Sequence, residues 1–169
     1  MKDRSILMDR VAELLLLYRS SLSTAESCTG GALSAAITSR SGASDFFRGG
    51  VIAYSYALKT TLLGVSQDDL LTYGAVSETV ASQMAIGIRD CSGSTYGLAT
   101  TGIAGPLGGS TEKPVGTVWI AIAAPDTLYT ECLHLHGNRQ EIVDATVRAI
   151  LSKLCHLLNQ MASNSIKGR

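Results

Sequence analysis

The sequence predicts a single α/β domain, a three-layer α/β/α sandwich in which helices cover both faces of a mixed, largely parallel β-sheet. Short apolar runs typical of strands alternate with segments whose apolar residues recur at helical spacing. Of the 169 residues, 46% are hydrophobic and 17% are charged, which is typical of a globular protein. No repeat, linker or composition break divides the chain. We therefore expect one domain over residues 1–169, with a core at about 5–160 and a frayed polar tail at 162–169.

The first half of the chain predicts a helix followed by a strand–helix–strand unit. The N-terminal helix is amphipathic, with inward-facing residues at Ile6, Leu7, Val11, Leu14, Leu15 and Tyr18. A strand at 22–25 then precedes a helix at 31–37, whose many Gly, Ala and Ser residues allow close packing on a sheet. The next strand is expected at 51–54. This order is a βαβ unit, and such crossovers are almost always right-handed.

The second half predicts three helices and three strands. Ser66, followed by Asp69, favours a helix at 67–72, and Ser77 begins a longer helix through about Asp90. Strands are expected at 95–99, 115–123 and 128–136, the last of them half-exposed. Asn138 is expected to cap the final helix, with Glu141 at its third position. Its inward residues are Ile142, Val143, Val147, Ile150, Leu151 and Leu154.

Charge and cysteine content exclude several classes of function. Lys+Arg and Asp+Glu number 14 each, so no net field attracts nucleic acid or an anionic membrane. The cysteines are scattered without zinc-ligand spacing, and they are Cys28, Cys91, Cys132 and Cys155. No secretory leader or apolar run of about 20 residues is visible. We expect a cytoplasmic protein with reduced thiols, no metal, no cofactor, and neither nucleic acid nor membrane as a partner.

The segment Thr24-Ala-Glu-Ser-Cys-Thr-Gly-Gly31 predicts a catalytic or binding loop. It lies between a strand and a helix, so the free N–H groups at the helix start would face the loop and stabilise an anion or an oxyanion. Ser27 could be a nucleophile if a base removes its proton. Alternatively, Ser27 could be the N-cap of the helix. Cys28 is a rival nucleophile, although a buried, inert thiol is also compatible with the sequence.

The candidate bases for Ser27 are not histidines. His134 and His136 lie on a strand and His156 lies on the last helix, without an assignable acid partner, so no Ser-His-Asp triad is indicated. Lys59, about one turn into a helix, could act as a base if burial deprotonates it, and Tyr54 could relay a proton. Read alone, this segment favours the alternative, in which Lys59 is a solvated helix residue and Tyr54 is a core ring.

A second glycine-rich loop, Thr100-Thr-Gly-Ile-Ala-Gly-Pro-Leu-Gly-Gly109, also follows a strand. It could bind phosphate, but it lacks the lysine-serine ending of a P-loop, and a structural turn is the alternative. Arg139, just after Gly137, could form a bidentate contact with phosphate or carboxylate; the alternative is a surface charge. Two such loops in one small domain suggest a single active site between them.

These segments together resemble a known family. The strings AESCTGG, GGVIAYSYALKTTLLGV, YGAVSE, TTGIAGPLGG and KPVGTVWIA, in this order and spacing, closely resemble the C-terminal domain of the competence/damage-inducible CinA family. The resemblance covers about residues 5–155. That family includes stand-alone nicotinamide-nucleotide amidohydrolases, whereas longer members carry an additional N-terminal domain that we do not expect in a chain of this length.

The resemblance implies hydrolysis of nicotinamide mononucleotide to nicotinic acid mononucleotide and ammonia, without metal or cofactor. It implies a nucleophile at Ser27, supported by Tyr54 and Lys59. The substrate, a pyridine mononucleotide, would lie against the two glycine loops and an anion-binding arginine. The implied substrate-binding residues are Cys28, Thr29, Gly30, Gly31, Thr101, Gly102 and Arg139.

Three departures from the family pattern concern the substrate pocket. Tyr56 stands where the family usually has asparagine, and Asn138 stands where it has aspartate. An arginine common in the first turn of the last helix is replaced by Val143 or Asp144. A catalytically weak or silent relative that binds a nucleotide or a protein partner is therefore the alternative hypothesis. We also expect a homo-oligomer, most simply a dimer, because the strand at 128–136 is a candidate sheet edge.

Overall fold

The computed structural model describes the backbone of residues 2–167 and the side chains of residues 5–160. This part of the chain contains six helices, five strands and one short 3-10 turn at Ala43–Asp45, and three helices follow β2 before the last three strands. The helices are α1 (Lys2–Leu17), α2 (Ala32–Thr38), α3 (Tyr56–Leu63), α4 (Gln67–Tyr73), α5 (Glu78–Ser92) and α6 (Arg139–Lys167). The strands are β1 (Leu22–Glu26), β2 (Phe47–Ile52), β3 (Tyr96–Gly102), β4 (Thr117–Ala123) and β5 (Leu128–His134).

The five strands form one mixed sheet in the order β2-β1-β3-β4-β5. Strand β1 is parallel to β2 and β3, whereas β4 is antiparallel to both β3 and β5. The predicted mixed sheet is confirmed, but it is not largely parallel. Only β2, β1 and β3 run parallel to one another, and the pairs β3–β4 and β4–β5 are antiparallel. No helix lies between β3 and β5, so the loop at 103–116 and the turn at 124–127 return the chain in the antiparallel sense.

Helices cover both faces of the sheet, as the sequence predicts. Helices α1, α2 and α6 enclose the larger apolar core, in which β1 contributes Leu22 and β3 contributes Leu98. Helices α3, α4 and α5 cover the opposite face, where the sheet presents alanines such as Ala99. A Cβ added to Gly97 would lie 2.1 Å from the carbonyl oxygen of Ala85, so the missing side chain lets α5 approach the sheet closely.

Most predicted helix starts and inward faces are confirmed. Ser66 and Ser77 are N-caps whose side chains accept bonds from the amides of Asp69 and Val80. The Asn138 side chain accepts from two amides of the first turn of α6. Glu141 bonds back to the Asn138 amide at 2.8 Å, which completes a reciprocal capping box. The predicted inward residues of α6 are all buried.

Two details differ from the sequence prediction. Ile6 was expected to face inward, yet its side chain is 67% exposed because it lies just outside the stripe that α1 packs against α6. Strand β2 begins four residues earlier than expected, at Phe47, and includes Gly49 and Gly50. Glycine is required at position 50, because a Cβ there would lie 2.3 Å from the Thr24 hydroxyl oxygen.

The expected frayed tail at 162–169 falls on residues whose side chains lie outside the described part of the chain. The backbone of α6 is helical through Lys167. Among the helices that the structure describes, none combines the length and apolar character needed to cross a bilayer.

Candidate active site

The candidate site lies where three parallel strands end at the same edge of the sheet. Glu26, the last residue of β1, is paired with Ile52 of β2 and with Thr100 of β3. Beyond the ladder, the Ser27 amide donates to the Thr100 carbonyl at 2.9 Å, and the Ala53 amide donates to the Glu26 carbonyl at 2.9 Å. Ligand sites of α/β proteins commonly lie at this edge, since loops from several strands converge there.

Lys59 lies against Ser27. Helix α3 starts directly after β2, with Ser55 as its N-cap, and this brings Lys59 back over the end of the sheet. Its side chain is 1% exposed, and its Nζ lies 3.0 Å from the Ser27 Oγ and 2.6 Å from the Ala53 carbonyl oxygen. From its own segment alone, Lys59 was expected to be a solvated helix residue. It is buried and contacts the candidate nucleophile.

Burial changes the chemistry of this lysine. Desolvation lowers the pKa of Lys59 below its ordinary value of 10.5, and the charge of a Cys28 thiolate would oppose that shift. No carboxylate within the described residues forms an ion pair with Lys59. A neutral amine at this position keeps an N–H bond to the Ala53 carbonyl and turns its lone pair toward the Ser27 hydroxyl. This pair can therefore generate a serine alkoxide without a histidine.

Cys28 is a poor nucleophile in this environment. Its side chain is buried, and desolvation raises the pKa of the thiol from 9.0 to about 12, although its own backbone amide and the charge of Lys59 oppose the shift. The thiolate, the reactive form, is therefore scarce at neutral pH. Of the two candidates in this loop, the structure favours the Ser27 hydroxyl.

The N-terminus of α2 is occupied by the protein's own carboxylate. The sequence suggested that free N–H groups there would bind an anion, but Glu26, which is fully buried, accepts bonds from the amides of Gly31, Leu33 and Ser34 at 2.7–3.0 Å. The hydroxyls of Thr29 and Ser34 donate to the same carboxylate at 2.7 and 2.6 Å. Glu26 thus takes the place of an N-cap side chain, and the alternative role of Ser27 as N-cap is excluded.

Few backbone donors remain in the loop after these bonds are formed. The Gly30 amide donates to the Ser27 carbonyl at 3.1 Å, and the Gly31 amide donates to Glu26. Within the described part of the chain, the amides of Cys28 and Thr29 donate to no other residue. These two amides directly follow Ser27 and are the available donors for an oxyanion formed on it.

Tyr54 and Arg139 contact each other at the mouth of the site. The Tyr54 side chain is 58% exposed, and its hydroxyl oxygen accepts a 3.0 Å bond from the Arg139 Nη2. The Arg139 Nη1 donates to the Gly105 carbonyl at 2.8 Å, which links α6 to the second glycine loop. Tyr54 forms no hydrogen bond to Ser27 or Lys59. The structure therefore separates the predicted catalytic residues into a buried Ser27–Lys59 pair and a tyrosine at the surface.

Two adjoining clefts surround Arg139. The larger, about 700 Å³, is bounded by the loop after β1, the second glycine loop and the first turn of α6, and its walls include Cys28, Thr29, Gly30 and Val143. The smaller, about 190 Å³, is lined by Tyr54, Gly102 and the 103–108 loop. Cys28 and Arg139 line both. The larger cleft is within the range of about 300–1,000 Å³ typical of small-molecule sites.

Not all predicted binding residues face the clefts. The Thr101 side chain is buried and donates to the Ala75 carbonyl at 2.8 Å, so it supports the loop between α4 and α5. Gly31 is the N-cap of α2. A Cβ on Gly102 would lie 2.6 Å from the Val118 side chain, so this glycine permits close packing of β3 on β4 as well as lining a cleft. The Thr29 hydroxyl is already bonded to Glu26 and Thr100.

The three departures from the family pattern lie in different surroundings. Val143 lines the larger cleft and adds an apolar surface there. Asn138 serves as the cap of α6. The hydroxyl oxygen of Tyr56 accepts a bond from the Ala75 amide at 3.3 Å. Only Val143 and Asn138 therefore bear on the cleft directly.

Sequence reasoning did not identify Glu26, Thr100 or Gly105. Glu26 carried the clearest signal, since it is a carboxylate at a strand end five residues before a helix start, where the helix dipole favours negative charge. Thr100 and Gly105 act here through their backbone carbonyls, and the type of side chain in the sequence does not reveal such a role. Across residues 5–160, no group of three His, Cys, Asp or Glu side chains comes together in a way that could hold a metal ion.

Comparison of the sequence and the fold with known proteins finds matches in one family. The sequence model of the CinA C-terminal domain family matches residues 4–158 of this chain. A CinA-superfamily protein of Klebsiella pneumoniae superposes with a TM-score of 0.90 at 34% identity, over 93% of this chain and 98% of that one. A competence/damage-inducible protein of Agrobacterium tumefaciens also superposes with a TM-score of 0.90. It is 40% identical, over 93% of this chain and 96% of that one.

Curated relatives are similar in sequence over most of the chain. A CinA-like protein of Nostoc punctiforme is 55% identical over 128 residues, which are 76% of this chain and 31% of that protein. A CinA-like protein of Amoebophilus asiaticus is 46% identical over 144 residues, which are 85% of this chain and 35% of that protein. The chain thus spans about a third of the length of the curated relatives it matches.

Proposed function

This chain belongs to the CinA C-terminal domain family, and we propose that it is an amidohydrolase that converts nicotinamide mononucleotide into nicotinic acid mononucleotide and ammonia. The observation that carries the proposal is the buried contact between the Lys59 Nζ and the Ser27 Oγ. Acyl transfer requires a base of lowered pKa in contact with a serine beside a ligand-sized cleft, and Ser27 directly precedes Cys28, which lines both clefts.

The first half of the reaction forms an acyl-enzyme. The neutral Lys59 amine takes the Ser27 proton, and the Ser27 Oγ bonds to the carboxamide carbon of the substrate. The amides of Cys28 and Thr29 stabilise the negative charge that develops on the carboxamide oxygen. Lys59 then gives its proton to the amide nitrogen, the C–N bond breaks, and ammonia departs.

The second half releases the acid. A water molecule loses a proton to Lys59 and attacks the acyl carbon, and the ester bond to Ser27 breaks as that proton returns to the serine oxygen. Lys59 acts as base and then as acid in each half, so its pKa must lie near the working pH rather than at 10.5. Burial of its side chain shifts the pKa in that direction.

Arg139 supports an anionic substrate. It lines both clefts, and its two hydrogen bonds to Gly105 and Tyr54 hold the guanidinium at the cleft wall with further N–H donors unused. A phosphate there would form a charge-assisted contact and orient the mononucleotide. In this proposal Tyr54 orients Arg139 or contacts the substrate. The variant Tyr54→Phe tests whether the hydroxyl of Tyr54 relays a proton directly.

The decisive experiment is an ammonia assay on nicotinamide mononucleotide with wild-type protein, Ser27→Ala, Lys59→Met and Cys28→Ala. We expect Ser27→Ala and Lys59→Met to lose roughly 10³-fold or more in turnover, as catalytic groups acting as a unit do. Cys28→Ala should keep most of the activity. Normal turnover in Ser27→Ala together with loss in Cys28→Ala would assign the nucleophile to the thiol instead.

A catalytically silent nucleotide-binding protein is the second candidate. Two observations favour it: Val143 presents an apolar side chain to the cleft, and the Ser27 side chain is only 9% exposed. Calorimetry with nicotinamide mononucleotide and with its acid product, beside the ammonia assay, separates the two functions. Binding without turnover supports this candidate, whereas turnover of about 1 per second or more eliminates it.

A further inference from the structure

We infer that Glu26 is a positioning residue, which holds Ser27 in place for attack by fixing the turn that follows it. The inference rests on the proposed function for its catalytic meaning, but its geometry stands independently. Glu26 is fully buried and lines neither cleft, so its carboxylate can act only through its neighbours.

A buried carboxylate without a basic partner requires an explanation. Moving an ion out of water is costly unless other groups compensate, and no lysine or arginine of the described residues forms an ion pair with Glu26. Its two oxygens are instead satisfied by three amides and two hydroxyls. A serine or aspartate placed at the N-cap would satisfy a helix terminus more simply. The N-cap, however, is Gly31, which has no side chain to donate or accept.

Besides capping α2, Glu26 connects the two ends of the turn that contains Ser27. Its backbone is fixed in the sheet on the near side of Ser27. On the far side, its Oε2 holds Thr29 and Gly31. Because residues on both sides are bonded to Glu26, the backbone of Ser27 cannot shift without breaking these bonds, and the Ser27 Oγ is held by its contact with Lys59.

The same residue is linked to the base. The Glu26 carbonyl accepts the Ala53 amide, and the Ala53 carbonyl accepts the Lys59 Nζ. The Thr29 hydroxyl also contacts the Thr100 hydroxyl at 2.7 Å, and the Thr100 carbonyl accepts the Ser27 amide. Nucleophile and base are therefore positioned through a continuous set of bonds centred on Glu26, and a displacement of about 1 Å in such a pair can cost 10²-fold in rate.

The test measures the reactivity of Ser27 without the natural substrate. A fluorophosphonate reagent modifies activated serines, and peptide mass mapping gives the rate at Ser27. We expect modification in the wild type and none in Lys59→Met. Glu26→Gln, which has the same shape but replaces an acceptor by an amide donor, should slow it by at least about tenfold. On nicotinamide mononucleotide, Glu26→Gln should lower kcat with little change in KM, because Glu26 lines neither cleft.

The matched control is Ser66→Ala, which removes the side-chain cap of α4; the Ser66 hydroxyl accepts from the Asp69 amide and does not bond to Glu26, Ser27 or Lys59. It should lower the melting temperature while leaving the labelling rate of Ser27 unchanged. Labelling of Glu26→Gln at the wild-type rate would overturn the inference. So would equal slowing in Glu26→Gln and Ser66→Ala, since that result would reflect general loosening of the fold.

A second pair of variants covers the case in which Glu26→Gln does not fold. Thr29→Val and Ser34→Ala each remove one hydroxyl donor from the same carboxylate, Thr29 on the side of Ser27 and Ser34 on the far side, within α2. We expect slower labelling in Thr29→Val and a nearly wild-type rate in Ser34→Ala. Equal rates in the two variants would show that the carboxylate only supports α2, and would refute the positioning role.

The two proposals fail in distinguishable ways. If the wild type is labelled at Ser27 but releases no ammonia from nicotinamide mononucleotide, the proposed substrate is wrong and the labelling series still decides the role of Glu26. If ammonia is released but Ser27 is not labelled, the hydrolysis stands, whereas the assignment of the nucleophile and the inference about Glu26 are both wrong.

Discussion

The Lys59 Nζ lies 3.0 Å from the Ser27 Oγ, although 32 residues separate them in sequence. The contact forms because β1 and β2 are parallel neighbours, so the segments that follow them emerge at the same edge of the sheet. Both side chains are buried, and the lysine has no carboxylate partner among the described residues. Its protonation state is therefore governed by desolvation, which has consequences for both activity and stability.

Activity should rise with pH as Lys59 loses its proton. The neutral amine is the active base, and burial places its pKa below 10.5, so kcat/KM should fall as the pH drops through that lowered pKa. The measurement is a pH–rate profile. Lys59→Arg should be inactive at every pH, because a guanidinium does not deprotonate in proteins.

The phosphate of the substrate titrates near pH 6 and could produce a similar limb. The control is therefore the same profile measured with nicotinamide riboside, which lacks the phosphate. A limb that disappears with the riboside would belong to the substrate, and a base role for Lys59 would then be contradicted.

The same burial predicts a pH-dependent stability difference. The folded protein binds fewer protons at Lys59 than the unfolded chain between the lowered pKa and 10.5, so the free energy of unfolding should increase with pH in that window. Below the lowered pKa, the full cost of burying the ammonium remains. Lys59→Met lacks this contribution, and Cys28, the group coupled to Lys59, has a pKa of about 12 and stays protonated below pH 10.5 in both folded proteins.

Urea unfolding of wild type and Lys59→Met at several pH values measures the difference. We expect the wild type to gain stability relative to Lys59→Met as the pH rises toward 10.5. A difference that is constant with pH would mean that Lys59 is not desolvated in solution.

Cys28 should be chemically inert despite its position beside the nucleophile. Burial raises the pKa of its thiol to about 12, so at pH 8 almost none is thiolate. Iodoacetamide should modify the exposed Cys91 first and Cys28 last, as followed by peptide mass spectrometry. Rapid modification of Cys28, together with loss of ammonia release, would reverse the assignment of the nucleophile.

How far the sequence predicts this site depends on the kind of contact. Ser27 was a candidate as a hydroxyl between a strand and a helix start, Lys59 was one as a lysine that burial could deprotonate, and the family resemblance implied that they act together. The interior role of Glu26 was not predicted, because a charged residue in a strand is normally exposed. It becomes buried here because Gly31, at a φ of 102°, turns the start of α2 back over the end of β1.

The pairing of Tyr54 with Arg139 was equally beyond sequence patterns. It depends on the path of the second glycine loop, whose Gly105 carbonyl holds the other side of the guanidinium. Loop paths are set by backbone bonds rather than by side-chain periodicity. By contrast, the caps at Ser66, Ser77 and Asn138 follow from local chemistry and were predicted correctly.

Strand β5 leads us to propose a homo-oligomer. It forms one edge of the sheet, and exposed edges are commonly covered by self-association. Light scattering at tens of micromolar should give a mass above that of the 17.7 kDa chain, most simply twice that value. A lysine at the edge, Leu128→Lys, should reduce the mass, whereas Leu71→Lys on α4, also an exposed leucine, should not. A monomeric wild type contradicts the prediction.

Arg139 should determine recognition of the phosphate. A guanidinium provides a planar, bidentate donor that lysine cannot reproduce, and Arg139 is held at the cleft wall by Gly105 and Tyr54. We expect Arg139→Lys to raise KM for nicotinamide mononucleotide by roughly one to two decades, from losing ~1.5–3 kcal/mol of charge-assisted bonding. The KM for nicotinamide riboside, which lacks the phosphate, should be nearly unchanged in Arg139→Lys.

Two controls separate this role from others that Arg139 could have. Arg148→Lys, an exposed arginine on the same helix, should leave both substrates unaffected. Tyr54→Phe removes one of the two contacts that hold Arg139, so it should raise KM for the mononucleotide by less than Arg139→Lys does. Equal impairment of mononucleotide and riboside by Arg139→Lys would place the arginine near the reacting amide or in support of the fold. No impairment of either would make it a surface charge, and the phosphate would then have to be bound elsewhere along the cleft.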